Sequence, residues 1–414
     1  MRKRIAGVAV TAILVLLAIA AVAVQTAAAG GKHPRPEVDF NDLSFYRPPA
    51  TTESYPLTRA RRVRNVIVCI GDGMGANHVA LARLKAVGPK GKLHLERMPV
   101  GGLVRTHSAD SLVTDSAASG TALATGIKTD NGMIGMAPDE QPYFTILELA
   151  RDKGMATGLV ATSAITHATP ASFAAHVKSR KMETTIAEHL IANRVNVLFG
   201  GGRKFFLPKE APDSARKDDR DLIAEAKGAG YTYIETTAEL RAVRHRHLLG
   251  LFQPEALTTA PPEPSLKLLT RKAIGALRRI RVGASGRNKG FFLMVEGSQI
   301  DWACHDNDAG NMIRQTLLFD QAVAAAIDFA WKDGRTLVIV TADHETGGLT
   351  FTAGDNNAAD PKVHWSTKGH SGAPVPIYAF GPGAEAFAGV YDNTDIPRKI
   401  ARLLDIRPFP RPKK

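Results

Sequence analysis

Short apolar runs, each closed at once by polar residues, recur along most of the chain. Residues 65–70, 158–161, 196–199, 291–295, 336–340 and 376–380 are runs of this kind and read as buried strands. Stretches of helical periodicity fall between them, at 145–151, 184–193, 215–229, 266–279 and 312–332. Buried strands alternating with helices predict an α/β fold: a three-layer sandwich with a largely parallel central sheet flanked by helices. Ligands of such folds bind at the carboxyl ends of the strands. The polar residues that close each run are therefore the first candidates for chemistry.

Three stretches depart from this alternation. Residues 203–290 read as a charged helical insertion, broken at Pro261, Pro262 and Pro264. Residues 354–369, rich in Asn, Asp, Gly and Ala, read as a loop, and residues 30–64, rich in Pro and Arg, as an extended arm. Ahead of the arm, residues 1–29 have the pattern of a signal peptide. Arg2, Lys3 and Arg4 precede an apolar run over 5–24, and Ala27, Ala28 and Ala29 supply the small residues of a cleavage site. Export to the periplasm or the extracellular space is the expectation; the same run, left uncleaved, would be a membrane anchor. The catalytic domain is then 65–414.

Composition narrows the picture. With 414 residues, 44% of them hydrophobic and 22% charged, the chain can bury one large core. Its formal charge is +13, with cations gathered at Arg59, Arg61, Arg62 and Arg64 and again at Arg407, Arg411, Lys413 and Lys414. These read as solvated surface charge, or as attraction for anionic substrates or an anionic cell surface. No basic stretch is interleaved with aromatics, so nucleic-acid binding is not expected. Cys69 and Cys304 are the two cysteines. A core of this size needs no disulfide, and a bond between them is not expected.

The candidate chemistry lies at the strand ends. Asp72 follows the first run in Gly71-Asp72-Gly73, where flanking glycines allow close approach to a metal. Ser116 opens a stretch of small residues suited to a closely packed helix; at its N-terminus, free N–H groups favour a phosphoryl group. Arg180 could clamp a phosphate with paired hydrogen bonds. Glu296 ends the run at 291–295, and Asp301 and His305 follow at a spacing that puts both on one helical face. Asp343 and His344 follow the run at 336–340, and His370 precedes the last run. Carboxylate with imidazole is the ligand mix of catalytic zinc. An Asp-Gly turn, an N-cap serine or a surface arginine would each account for one of these alone. Buried polar groups are costly unless they share a purpose, so one common site explains them better than separate accidents. His107, His245, His247 and His364 lack any such setting.

The segments IGDGMG, VTDSAASGTALATGIKT, ATPASFAAHVKSRK, LFGGGRKFF, EGSQIDWACH, TADHETGGL and GHSG stand in one order from about Asn65 to about Leu404. In these segments the chain resembles the alkaline phosphatase family. The resemblance implies Ser116 as nucleophile and Arg180 as the phosphate-binding arginine. It implies two Zn2+ ions, one held by Asp72, Asp343 and His344 and one by Asp301, His305 and His370. It further implies a third metal, usually Mg2+, on Asp72, Thr169 and Glu296. The implied activity is hydrolysis of phosphate monoesters through a phosphoserine intermediate. His167 and Trp302 occupy two positions that vary within the family. His167 stands where some members have an Asp that supports magnesium and cannot bring that negative charge, so another divalent ion could replace magnesium at the third site. Trp302 stands where some members carry a cation. Little chain separates Gly348 from His370, leaving little room for the large surface insertion of longer members and for dimer contacts made by it; a homodimer is left open. The alternatives are a phosphodiesterase or phosphonate monoester hydrolase of the same superfamily, or a non-catalytic metal- or phosphate-binding surface protein.

Overall fold

A computed structural model describes residues 36–57, 62–280, 289–352 and 361–413. The apolar runs become the centre of one ten-stranded sheet. Its strands are β1 (Asn65–Gly71), β2 (Val100–Arg105), β3 (Ala156–Ala164), β4 (Val197–Gly201), β5 (Thr232–Ile234), β6 (Leu248–Leu251), β7 (Phe291–Gly297) and β8 (Thr336–Thr341). Two two-residue strands, β9 (Glu345–Thr346) and β12 (His370–Ser371), pair with each other, as do β10 (Leu349–Thr352) and β11 (Lys362–Trp365). β13 (Val375–Phe380) and β14 (Gly389–Asp392) complete the large sheet, whose order is β14-β2-β13-β8-β1-β7-β3-β4-β6-β5. Only β13 runs against its neighbours, pairing antiparallel with β8 and β2. Every residue of β1, β3, β7 and β8 is buried. That is why these strands read as continuous apolar runs and not as alternations.

Helices α1 (Ala76–Val87), α2 (Ser116–Thr125), α3 (Ile146–Asp152), α4 (Ala168–Ala171), α5 (Glu183–Ala192), α6 (Leu222–Gly228), α7 (Thr237–Ala242), α8 (Leu266–Leu277), α9 (Gln299–His305), α10 (Ala309–Asp333) and α11 (Asp395–Leu403) flank the sheet in a three-layer α/β arrangement. Their ends are set by local chemistry. Thr145 and Glu148 form a capping box at the start of α3. Asp308 caps α10 by accepting from the Asn311 N–H at 3.0 Å, and Gly334 ends it in the left-handed conformation. Among the described residues no helix is long and apolar enough to cross a membrane.

Four readings of the sequence change. Residues 203–290 are not simply helical: they supply β5 and β6, which extend the sheet beyond β4, together with α6, α7 and α8. The helix expected over 215–229 starts only at Leu222, because Asp221 caps it there, accepting from the Ile223 and Ala224 N–H groups. The turns ahead of it are fixed by the buried Arg216, paired with Asp218 and Glu188. The loop expected over 354–369 contains strand β11, while 353–360 lie outside the described residues. β2 and the edge strand β14 beside it have no counterpart in the predicted runs. The segment proposed as a signal peptide lies outside the described residues. Within the proposed arm, 36–57 and 62–64 hold neither helix nor strand. This stretch is tied to α10, where the Tyr46 hydroxyl donates to Asp320 at 2.6 Å. Cys69 and Cys304 are both buried, free thiols.

Candidate metal centre and active site

The carboxyl ends of β1, β7 and β8 lie side by side, in register from Gly71 to Gly297 and from Ile70 to Thr341. This single fact brings Asp72, Glu296, Asp343 and His344 together from distant parts of the sequence. Gly73 makes the crowding feasible. Its φ is +69°, and a Cβ there would lie 2.7 Å from Thr346 Oγ1 and 2.9 Å from Asp301 Cα. Its N–H donates to Asp343 Oδ1 at 3.1 Å.

Three clusters form, each with ligand atoms within 4.8 Å of one another: Asp301, His305 and His370; Asp72, Asp343 and His344; Asp72, His167 and Glu296. Asp72 belongs to two of them. In the first cluster one carboxylate sits between two imidazoles. His305 Nε2 lies 3.2 Å from Asp301 Oδ2, one helical turn along α9, and His370 Nε2 lies 3.5 Å from Oδ1. The opposite ring nitrogens are tied to backbone carbonyls, His305 Nδ1 to Lys368 O at 2.5 Å and His370 Nδ1 to Thr114 O at 2.8 Å. A carbonyl only accepts, so each Nδ1 carries a proton. A neutral ring then aims the Nε2 lone pair at a carboxylate oxygen. Only a proton or a cation between them reconciles that arrangement, which is the orientation metal-ligating histidines take.

Electrostatics separate this cluster from the other two. Against its burial, hydrogen bonds from His305 and His370 hold Asp301 well below the usual carboxylate range. The same contact with Asp301 raises His305 to about 9. Burial, followed by the charge of Asp343, pushes Asp72 well above its ordinary value. Burial and then Asp301 raise Asp343 to about 6, and burial raises Glu296 to about 7. His344 is held far below a normal histidine by burial and by the neighbouring His370. Both oxygens of Asp72, Oδ2 of Asp343, Oε1 of Glu296 and Oγ1 of Thr169 are buried without a hydrogen-bond partner. Native proteins rarely leave such atoms bare. Oxygen donors of this kind, gathered around one carboxylate, suit divalent cations.

Ser116 is the first residue of α2, and Asp115 is its cap, accepting from the Ala118 N–H at 2.9 Å. All ten residues of α2 are buried. The run of small residues allows this: a Cβ on Gly120 would come 2.8 Å from Ser172 Oγ. Ser116 Oγ lies 3.1 Å from His344 Nε2, which also faces Asp343 Oδ2 at 3.2 Å and Asp72 Oδ1 at 3.4 Å. The Arg180 fork is held on two sides, Nη1 on Asp115 Oδ2 at 3.0 Å and Nη2 on His167 Nε2 at 3.2 Å. Trp302 meets the His167 ring edge-on, with centroids 6.0 Å apart. The residues singled out in the sequence thus converge, Thr169 through the short helix α4 that begins just after His167.

Other groups were not singled out. Thr346 Oγ1 donates to Asp301 Oδ1 at 2.5 Å and lies 3.2 Å from His344 Nδ1, joining two clusters. Ser298 donates to Glu296 Oε2 at 2.7 Å. Ser119 donates to the Asp343 carbonyl at 2.6 Å, and Asn393 donates to Ser119 at 3.1 Å. Glu345 takes the N–H groups of Gly348 and Leu349 and the hydroxyl of Ser371, fastening the strand that bears His370. Thr346, Ser298 and Ser119 fall inside the motifs noted in the sequence, where adjacency to a ligand or to the serine was the available signal.

The Alkaline phosphatase family model matches residues 63–364 and 352–406. The chain is 37% identical over 425 residues to Alkaline phosphatase 4 of Bacillus subtilis (strain 168), spanning 83% of this chain and 89% of that protein. Among solved structures it resembles the alkaline phosphatase of the Antarctic bacterium TAB5, with a TM-score of 0.75 and 38% identity over 84% of this chain and 100% of that one. A histidine-to-aspartate variant of the Antarctic enzyme, with magnesium bound in its M3 site, matches with a TM-score of 0.72 and 36% identity over 84% of this chain and 99% of that one.

Proposed function

Since the chain belongs to the alkaline phosphatase family and is a hydrolase of phosphate monoesters, we propose that it works through a phosphoserine on Ser116. Two zinc ions would be held by Asp72, Asp343 and His344 and by Asp301, His305 and His370. A third divalent ion, magnesium in the first instance, would be held by Asp72, Thr169 and Glu296. The observation that supports this most directly is Ser116 Oγ at 3.1 Å from His344 Nε2, beside carboxylate oxygens that have no other partner. When bound, such ions lower the pKa of a nearby hydroxyl and stabilise charge on the attacking and leaving oxygens of an in-line displacement.

The protein's own groups do the rest. Ser116 Oγ gives up its proton and attacks phosphorus; the Oγ–P bond forms as the ester P–O bond breaks, and the leaving alcohol takes up a proton in place of the one the serine lost. Water then attacks the same phosphorus, the Oγ–P bond breaks, and phosphate leaves. Two inversions give net retention at phosphorus. The free N–H groups opening α2 would favour negative charge on the equatorial oxygens of a phosphoryl group on Ser116. Arg180 stands one residue away, through Asp115, and its two-sided hold preorders it as a clamp for the phosphoryl group. The histidines are oriented by their carbonyl partners before any substrate arrives.

Ser116→Ala tests this reading. The variant keeps its fold and metal content and traps no labelled phosphate, while the remaining site supports residual hydrolysis by direct attack of water. Label trapped on that variant at any residue removes Ser116 from its role. For location, the basic start and apolar run of residues 1–29 support export, and amino-terminal sequencing of protein from the periplasm or the medium tests it.

A further inference from the structure

The amino ends of the strands, about 20 Å from the candidate active site across seven-residue strands, carry a second feature. A cleft of about 360 Å³ opens there, and five cations line it: Arg62, Arg64, Lys153, Lys289 and Arg335. They come from four separate places in the sequence. Arg62 and Arg64 lead into β1, Lys153 follows α3, Lys289 precedes β7 and Arg335 precedes β8. Among the described residues no acidic side chain lines the cleft, and the carboxylate of Asp405 reaches one of its cations, lying 4.0 Å from Lys153 Nζ. Its floor is apolar, with Met155 and Leu404 buried at 4% and 5% exposure.

Like charges brought together cost energy unless something offsets them. One cation has a structural purpose: Lys153 Nζ donates to the Leu404 and Asp405 carbonyls at 2.5 and 2.6 Å, capping the end of α11. Arg64 lends its backbone, its N–H donating to the Arg335 carbonyl at 2.9 Å. Arg62, Lys289 and Arg335 are exposed, and among the described residues no carboxylate lies within ion-pair distance of their side chains. Two guanidinium forks and an ammonium group over an apolar floor form a receptor for a tetrahedral oxyanion. The floor lowers the local dielectric and strengthens each contact.

We infer that this cleft at the amino ends of β1, β7 and β8 is a second, non-catalytic site for a phosphate-class dianion, either free or as the headgroup of a lipid. The inference stands independently of the proposed mechanism, because it uses none of the residues of the catalytic end. The test compares metal-replete wild type with the triple variant Arg62→Gln, Lys289→Gln and Arg335→Gln, and with Lys289→Glu alone in case the triple variant does not fold. Equilibrium dialysis with labelled inorganic phosphate counts sites, and sedimentation with vesicles of anionic or zwitterionic phospholipid reads the lipid source. The expected result is one more phosphate, or binding to anionic vesicles alone, in wild type. That binding weakens about tenfold or more for each cation removed, while kcat, KM and inhibition by phosphate stay unchanged. Binding by dialysis names the free ion as ligand, and binding to vesicles alone names the headgroup. Equal binding by wild type and variants overturns the inference. So does one phosphate per wild-type chain with no vesicle binding, or a variant whose phosphate inhibition shifts.

Discussion

The two sides of the candidate metal centre solve the same problem differently. On the side of α9, a single carboxylate, Asp301, lies between His305 and His370, and the three groups neutralise one another. On the side of β1, β7 and β8, the carboxylates of Asp72, Asp343 and Glu296 are buried together with one histidine, His344, whose basicity is suppressed. The first set can hold the proton it needs on its own imidazoles, since contact with Asp301 raises His305 to about 9. The second is a concentration of negative charge that only protons or cations make tolerable. The position that closes this second side, His167, brings no further charge, and its Nε2 already accepts from Arg180.

The sharpest way to break that contrast is Asp72→Ala. Asp72 is shared by both carboxylate-rich clusters. The expected loss in kcat/KM is about 10⁴-fold or more, with metal analysis showing both of those clusters depleted and the ion on Asp301 retained. Equal depletion of all three would mean the sides are not independent. Next comes Arg180→Ala. Its fork reaches the carboxylate-rich side through Asp115 and His167, and its removal should lower kcat/KM roughly 10²- to 10³-fold. Inhibition by inorganic phosphate should weaken as well, because bound phosphate and the transition state both carry the charge it meets. Inhibition as strong as in wild type would remove Arg180 from the clamp.

Acidity gives a third handle. In protein stripped of metal, Asp343 titrates at about 6 and Glu296 at about 7, both above their unfolded values near 4. A carboxyl with a raised folded pKa favours the native state only while protonated. Its contribution is complete below about pH 4 and is lost as pH rises through 6 and 7. Stability of the stripped protein should fall by on the order of 3 kcal/mol for each of the two carboxyls, about 6 kcal/mol together, between about pH 4 and 7, as read by urea denaturation. The metal-replete protein should show no such decline, and parallel curves for the two forms would contradict the account. The smallest effect is the pair His167→Asp with Trp302→Lys. It adds a carboxylate to the third cluster and a cation beside it, and should lower the magnesium concentration for half-activation about tenfold. It should also strengthen phosphate inhibition. If wild type, restored with zinc, already holds magnesium as tightly as the variant, residue 167 does not govern that site.

Much of this was legible in the order of residues. β1, β3, β4, β7, β8 and β13 are buried on both faces, and a strand without a wet face declares itself as an apolar run. β2 escaped because it carries Gly101 and Gly102 and alternates in exposure; β14, at the sheet's edge, has only Tyr391 buried. β5 and β6 are too short to show a period. Around Arg216, helical periodicity overran a turn whose anchor, Glu188, lies 28 residues away. The candidate ligands were visible because Asp, Glu and His are rare at the ends of buried strands. The hydroxyls that orient them were not: a Thr or Ser beside a ligand is commonplace, and Thr346 gains its meaning from Asp301, 45 positions earlier.

That threonine has one hydrogen to give. Asp301, held far below the usual range, is ionised and can only receive, so the Thr346 hydrogen is committed to it. The Thr346 oxygen is then left to receive from His344 Nδ1, and His344 Nε2, stripped of its hydrogen, is left to receive from Ser116. The four groups make a one-way wire running from the serine through His344 and Thr346 to Asp301. Its polarity is dictated from the far end, so the handedness of hydrogen bonding at the serine is decided by a carboxylate that never touches it.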